Sequence, residues 1–180
     1  MRTDAPEPLP PGEVAATLCP ACGLCCNGVV FADVQLRPED DREQLRELGL
    51  PLFAKGGRWR FGQPCVCWDG RFCRIYAQRP AQCRAFECRL FQQVSAGTLS
   101  ANAALLRIAR ALQKVAEVRR LLRQLGDTDE TSPLSRRYAR IMTQPIDFGG
   151  DEEVVERRSA LLLAVDRLAR TLARDFLTPV

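Results

Sequence analysis

Nine cysteines fall between Cys19 and Cys88, none follows, and the chain of 180 residues contains no histidine. The densest stretch, Cys19-Pro20-Ala21-Cys22-Gly23-Leu24-Cys25-Cys26, reads C-x2-C-x2-C-C. Cys65, Cys67, Cys73, Cys83 and Cys88 complete the set. Thiols at this density must be buried inert, oxidised in pairs or bound to metal, and each fate constrains the fold differently. The odd count argues against a complete disulfide framework.

Compartment sharpens the choice. Residues 1–7 lack the basic start and apolar run of a secretory signal. No stretch approaches the roughly 20 apolar residues that cross a bilayer. The expectation is therefore a cytoplasmic protein with no membrane partner. In the cytoplasm, cysteine clusters more often bind metal or do redox chemistry than form disulfides. The net charge of +4 is mild, and 24 Arg stand against 2 Lys.

Along the chain, residues 1–11 are proline-rich without apolar periodicity and read as a disordered leader. A helical turn over Glu13–Leu18 leads into the cysteine loop. Gly28–Val34 reads as a strand. A helix starts near Pro38, with Glu39, Asp40 and Asp41 at its positive end, turns Leu45 and Leu48 inward and stops at Gly49. Leu52–Lys55 and Arg58–Phe61 form a hairpin across Gly56-Gly57. A second hairpin pairs Cys65–Trp68 with Arg71–Tyr76 across Asp69-Gly70. Pro80 opens a short helix carrying both Cys83 and Cys88.

The pattern then becomes helical. Leu105, Ile108, Leu112, Val115, Val118, Leu122 and Leu125 mark one face of a long helix that ends at Gly126. Arg107, Arg110, Lys114 and Glu117 line its other side. Asp127–Ser132 is a polar loop, Pro133–Met142 a short helix and Gly149-Gly150 a turn. A second long helix spans Asp151–Leu177, with Val154, Leu161, Val165, Leu168 and Leu172 inward. Glu153/Arg157 and Asp166/Arg170 have i,i+4 spacing. The two long helices are expected to pair as an antiparallel hairpin.

Without imidazole, a metal site here must rest on thiolates. Thiolate-only sets select zinc or iron–sulfur clusters, whereas magnesium and calcium take oxygen ligands. Paired C-x2-4-C knuckles suit zinc, while a C-x2-C-x2-C run suits a cubane. The eight candidate sulfurs could divide into two sets of four, or into one cubane and one zinc. Adjacent residues rarely aim both sulfurs at one ion, so Cys25 and Cys26 are expected to differ in role. Arg71, Arg74, Arg79, Arg84 and Arg89 interleave with the later cysteines. They are expected to offset the negative charge of a metal–thiolate group and to donate hydrogen bonds to sulfur. They bring no aromatic stacking pattern, which argues against nucleic acid.

Cys19-x2-Cys22-x2-Cys25-Cys26, Cys65, Cys73-Arg74-Ile75-Tyr76 and the segment Arg79-Pro80-Ala81-Gln82-Cys83 through Cys88 resemble the CxxCxxCC cysteine-cluster family of zinc- or iron-chelating domains. The resemblance covers residues 19–90. It implies metal ligation by Cys19, Cys22, Cys25, Cys26, Cys65, Cys73, Cys83 and Cys88, with Zn²⁺ or iron, the latter as an Fe–S cluster, as cofactor. Cys67 is extra to the family pattern and receives no ligand role. A bacterial flagellin lysine methylase carries a similar cysteine cluster, which makes a group-transfer enzyme one alternative.

The resulting expectation is an α+β fold. The leader (1–11) is followed by an irregular metal-binding head with short hairpins (12–95) and a mostly α-helical C-terminal region (96–180). The function is that of a metal–thiolate protein. Its alternatives are a metal-stapled module offering the helical region to a protein partner, or the methylase-like enzyme. The enzyme reading lacks support: no Gly-rich nucleotide loop follows a strand, and any general base must be a carboxylate, lysine or thiolate.

Overall fold

The computed structural model describes residues 7–145 and 152–178. The expected Gly149-Gly150 turn, the start of the last helix at Asp151 and most of the leader lie outside the described residues. The architecture is α+β: among the described residues, seven α-helices with a small antiparallel sheet of order β1-β3-β2. Two compact units divide it, one within Met1–Cys22, Glu87–Leu121 and Glu156–Val180, the other within Gly23–Phe86 and Leu122–Val155.

The second unit holds the sheet. β2 (Leu52–Lys55) and β3 (Arg58–Gly62) pair antiparallel with Lys55 opposite Arg58, so the hairpin turns at Gly56-Gly57 as its sequence predicts. β1 is shorter and later than expected. It covers Asp33–Gln35 and pairs with β3, Val34 opposite Phe61. The β-branched residues before it are diverted into a turn. The Asn27 side chain accepts from the Val29 amide at 3.2 Å, and the Gly28 carbonyl accepts from the Leu134 amide at 2.9 Å.

α2 (Arg42–Glu47) begins four residues after Pro38, because Asp41 is its N-cap and accepts from the amides of Glu43 and Gln44. Leu45 from this helix joins Val34, Leu36, Leu50, Phe61, Cys67 and Ile75 in the core of the unit. α6 (Leu134–Met142) buries Arg137, whose guanidinium meets Asp127 at 3.2 Å and Glu130 at 2.6 Å. A guanidinium this deeply buried requires such carboxylate partners.

The first unit is helical. α1 (Pro11–Cys22) runs beyond the expected turn and takes Cys19 and Cys22 into the helix, with Pro20 inside it. Burial of Val14 and Leu18 fixes its inner face, and it packs on α4 (Arg89–Ser95), which buries Leu90, Phe91 and Val94. The unit also takes in most of α5 (Ala101–Gln124) and of α7 (Glu152–Asp175).

Ala104, Ile108, Ala111, Val115 and Val118 are buried on α5, and Leu161, Ala164, Leu168, Thr171 and Asp175 on α7. Both sets step by three and four residues. The α7 face is rotated from the expected one: Val165 and Leu172 are only half-buried, while polar Thr171 and Asp175 turn inward. Their partners explain this. Arg107 reaches Asp175 at 3.5 Å, Lys114 reaches Thr171 at 2.5 Å, and Arg167 reaches Glu117 at 2.9 Å. The order of these pairs makes the two helices antiparallel, as expected. Of the residues expected on the outer side of α5, Arg107, Lys114 and Glu117 instead form a polar seam with α7. The i,i+4 pair Asp166–Arg170 is present at 3.0 Å.

Candidate metal centre

Three separated segments of the second unit carry expected ligands, of which Cys65, Cys73 and Cys83 pack against one core and Cys26 acts on Cys83 through charge. Gly23 opens the first segment, where the amides of Cys26 and Asn27 both donate to its carbonyl at 2.9 Å. This glycine has φ +62°, and a Cβ here would overlap the Trp68 ring, so only glycine fits. Leu24 is fully buried and anchors the loop that presents Cys25 and Cys26.

The second segment is tied to the first through the main chain, since the Cys65 amide donates to the Cys26 carbonyl at 2.8 Å. From Cys65 to Cys73 the chain doubles back at Asp69-Gly70. Asp69 Oδ1 accepts from the amides of Arg71 and Phe72, at 2.8 and 2.7 Å. A single bridge, Trp68 opposite Cys73, replaces the full ladder expected for this hairpin. Tyr76 leaves it for a 3-10 turn, Tyr76–Gln78.

The third segment is α3 (Ala81–Ala85), which begins after Pro80 and carries Cys83 alone. Phe86 is extended, with φ −79° and ψ 118°, and breaks the helix expected to include Cys88. Asp40 fastens α3 by accepting from the Ala81 amide at 2.7 Å, and Arg37 holds Gln82 Oε1 at 3.0 Å. These contacts span more than forty residues of sequence, so nothing local in the chain reveals that Asp40 positions Cys83.

Cys65, Cys73 and Cys83 pack against the same apolar core. Burial pushes the Cys83 thiol up to about 12, the sulfurs of Cys26, Cys65 and Cys73 add to the rise, and the Arg79 guanidinium opposes it. Burial also pushes Cys65 up to about 11, countered by a main-chain hydrogen bond from Cys67 and reinforced by the charges of Cys67 and Cys73. These are thiols that resist ionisation when no cation is near.

Cys67 is different. It is buried within the apolar core, and its Sγ donates to the Leu48 carbonyl at 3.6 Å, which requires the protonated form. A side-chain hydrogen bond also joins it to Cys65, and its charge couples to that of Cys73.

In the first unit, Cys19 is exposed and Cys22 half-buried one turn later on α1. Cys88 is the N-cap residue of α4. Burial raises its pKa, the main-chain amides of Phe91 and Leu90 counter this, and Glu87 adds to the rise. Cys25 belongs to the second unit and is half-buried. Cys65, Cys67, Cys73, Cys83 and Cys88 are free thiols. Among the described residues, no group of three or more Cys, Asp or Glu side chains is placed to hold a metal ion.

Arg79 acts on the Cys83 sulfur and Arg74 on that of Cys67 through charge, while the hydrogen bonds of Arg74, Arg79 and Arg84 go to carbonyls. Arg74 donates to Val66 O at 2.6 Å, Arg79 to Tyr76 O at 3.2 Å and Arg84 to Arg79 O at 2.8 Å. Arg79 also lies 3.7 Å from the centre of the Tyr76 ring.

The donor set fits zinc or iron in chemistry. Sulfur is the dominant donor, imidazole is absent, and the sulfurs of Cys26, Cys65, Cys73 and Cys83 would each gain from a cation that displaces their protons. Residues 18–103 match the model of the CxxCxxCC family, described as “Putative zinc- or iron-chelating domain”. Searches of the curated proteins and of the solved structures found no match. Among the described residues, no helix is long and apolar enough to cross a membrane.

Proposed function

We propose that this chain is a cytoplasmic metal–thiolate protein whose eight family cysteines, Cys19, Cys22, Cys25, Cys26, Cys65, Cys73, Cys83 and Cys88, chelate zinc or iron, the iron as an iron–sulfur cluster. One observation carries the reading: Cys65, Cys73 and Cys83 pack against one apolar core, and the sulfurs of Cys26, Cys65 and Cys73 each raise the cost of ionising Cys83. A bound cation supplies the positive charge that removes this cost.

The chain's own residues prepare the four sulfurs. Asp40 and Arg37 hold α3 in place, the Cys26–Cys65 main-chain bond fixes two of the segments together, and Arg79 offsets part of the thiolate charge. Cys67 stays protonated in the core beside them.

Elemental analysis and visible spectroscopy of anaerobically purified protein test the reading. Stoichiometric zinc in a colourless protein, or iron with sulfur-to-iron absorption, supports it. Cys26→Ser, Cys65→Ser, Cys73→Ser and Cys83→Ser should each lower the metal content by the same increment, while Cys67→Ser should leave it unchanged. A protein that carries neither metal, and takes up neither with release of protons, would overturn it.

A further inference from the structure

The polar seam of the helical unit opens into a groove with a volume of about 660 Å³. Four cations line it, Arg107, Arg110, Lys114 and Arg174, against two carboxylates, Glu117 and Asp175. Both carboxylates are already engaged. Glu117 pairs with Arg167 at 2.9 Å. Asp175, with a side chain only 1% exposed, accepts from Arg174 Nη2 at 2.7 Å and from Arg107 Nη1 at 3.5 Å.

One buried carboxylate therefore anchors two guanidinium groups and leaves their net charge positive. Their outer N–H groups remain accessible, since the Arg174 side chain is 70% exposed and that of Arg107 39%. Lys114 is steadied by Thr171 Oγ1 at 2.5 Å. Arg110 and Gln113 are exposed on the same wall and have no hydrogen-bond or ion-pair partner among the described residues.

We infer that this groove between α5 and α7 binds a small polyanion of the phosphate class, a diphosphate or a phosphate ester carrying at least two negative charges. Guanidinium forks match phosphate oxygens in pairs, and those of Arg107 and Arg174 are held by Asp175 before any ligand arrives. The volume suits a small organic anion. The groove lining contains no aromatic ring, so it offers nothing on which a nucleobase could stack, and the phosphate groups supply the recognition. The inference is independent of the cysteines.

Calorimetric titration of the full-length chain with inorganic diphosphate at low ionic strength tests it. Saturable binding near one equivalent is expected. Arg110→Ala should weaken it by roughly tenfold or more, the effect of losing one charge-assisted contact, and Arg110→Glu should abolish it. Arg110 has no partner to lose, so both variants should fold like the parent chain. Arg170→Ala removes an 81% exposed cation of α7 outside the groove and should leave binding unchanged. Absence of binding would overturn the inference. So would equal losses in Arg110→Ala and Arg170→Ala, which would reveal attraction to net charge alone. Binding that survives Arg110→Glu and follows metal content would also overturn it, since diphosphate would then be chelating the metal.

Discussion

The two units reach stability by different means. The helical unit buries apolar residues in regular steps of three and four along α5 and α7, and its polar groups pair with one another across the seam. The sheet-bearing unit has an apolar core in which three half-buried cysteines pack beside Val34, Leu45 and Phe61. Its chain is held by capping carboxylates and tight turns more than by long ladders. There sulfur fills part of the interior, and a metal can add stability to that of packing.

Metal removal should separate the units most. A structural zinc can contribute on the order of 10 kcal/mol. Chelator-treated protein should therefore lose hydrogen-exchange protection across β2 and β3 while the buried turns of α5 and α7 keep theirs. Equal loss in both would break the contrast.

Leu168→Ala tests the opposite side. It should cost about 2–5 kcal/mol by deleting buried apolar volume, with metal content unchanged as measured by elemental analysis. Gly23→Ala comes next, at about 1–3 kcal/mol, because it imposes a strained backbone and a collision with Trp68. Denaturant unfolding checks it, and the loss should centre on the sheet-bearing unit.

A pH series gives a smaller effect. Burial lifts Cys65 to about 11 and Cys83 to about 12. The unfolded chain therefore releases these protons first as pH rises above the ordinary thiol value near 9. Metal-free protein should hold this contribution fully below pH 9 and lose it on the way to 11 and 12. Thermal melts of metal-free Cys83→Ser should show a shallower alkaline loss. An unchanged slope would mean that Cys83 titrates like a free thiol. The smallest change expected is at the exposed pair Asp166–Arg170, about 0.5 kcal/mol or less in a double-mutant cycle.

The helices and the first hairpin were legible because their signals are local. Steps of three and four apolar residues marked α5 and α7, and Gly56-Gly57 marked the turn between β2 and β3. The errors arose where distant contacts decide. Gly28–Val34 has strand composition, yet the Gly28 carbonyl is taken by Leu134 more than a hundred residues away. α1 extends through Pro20 to Cys22 because Val14 and Leu18 hold it from within. The inward turn of Thr171 and Asp175 depends on Lys114 and Arg107 from another helix. The ligand candidates were visible as residue types at recognisable spacings. That Cys65, Cys73 and Cys83 pack against one core, with Cys67 buried in it, depends on contacts between distant segments that no local spacing reveals.

The contact between Gly23 and Trp68 also gives the protein a built-in optical probe. The indole sits in the same Cys65–Cys73 turn and leans on the residue that launches Cys25 and Cys26. Zinc, with its filled d shell, should leave the emission of this ring bright, whereas an iron–sulfur group nearby should quench it. The other indole, Trp59, lies under Arg42 and Arg46 and can be silenced as Trp59→Phe. The remaining fluorescence would then report, in real time and without any added label, which element has been loaded.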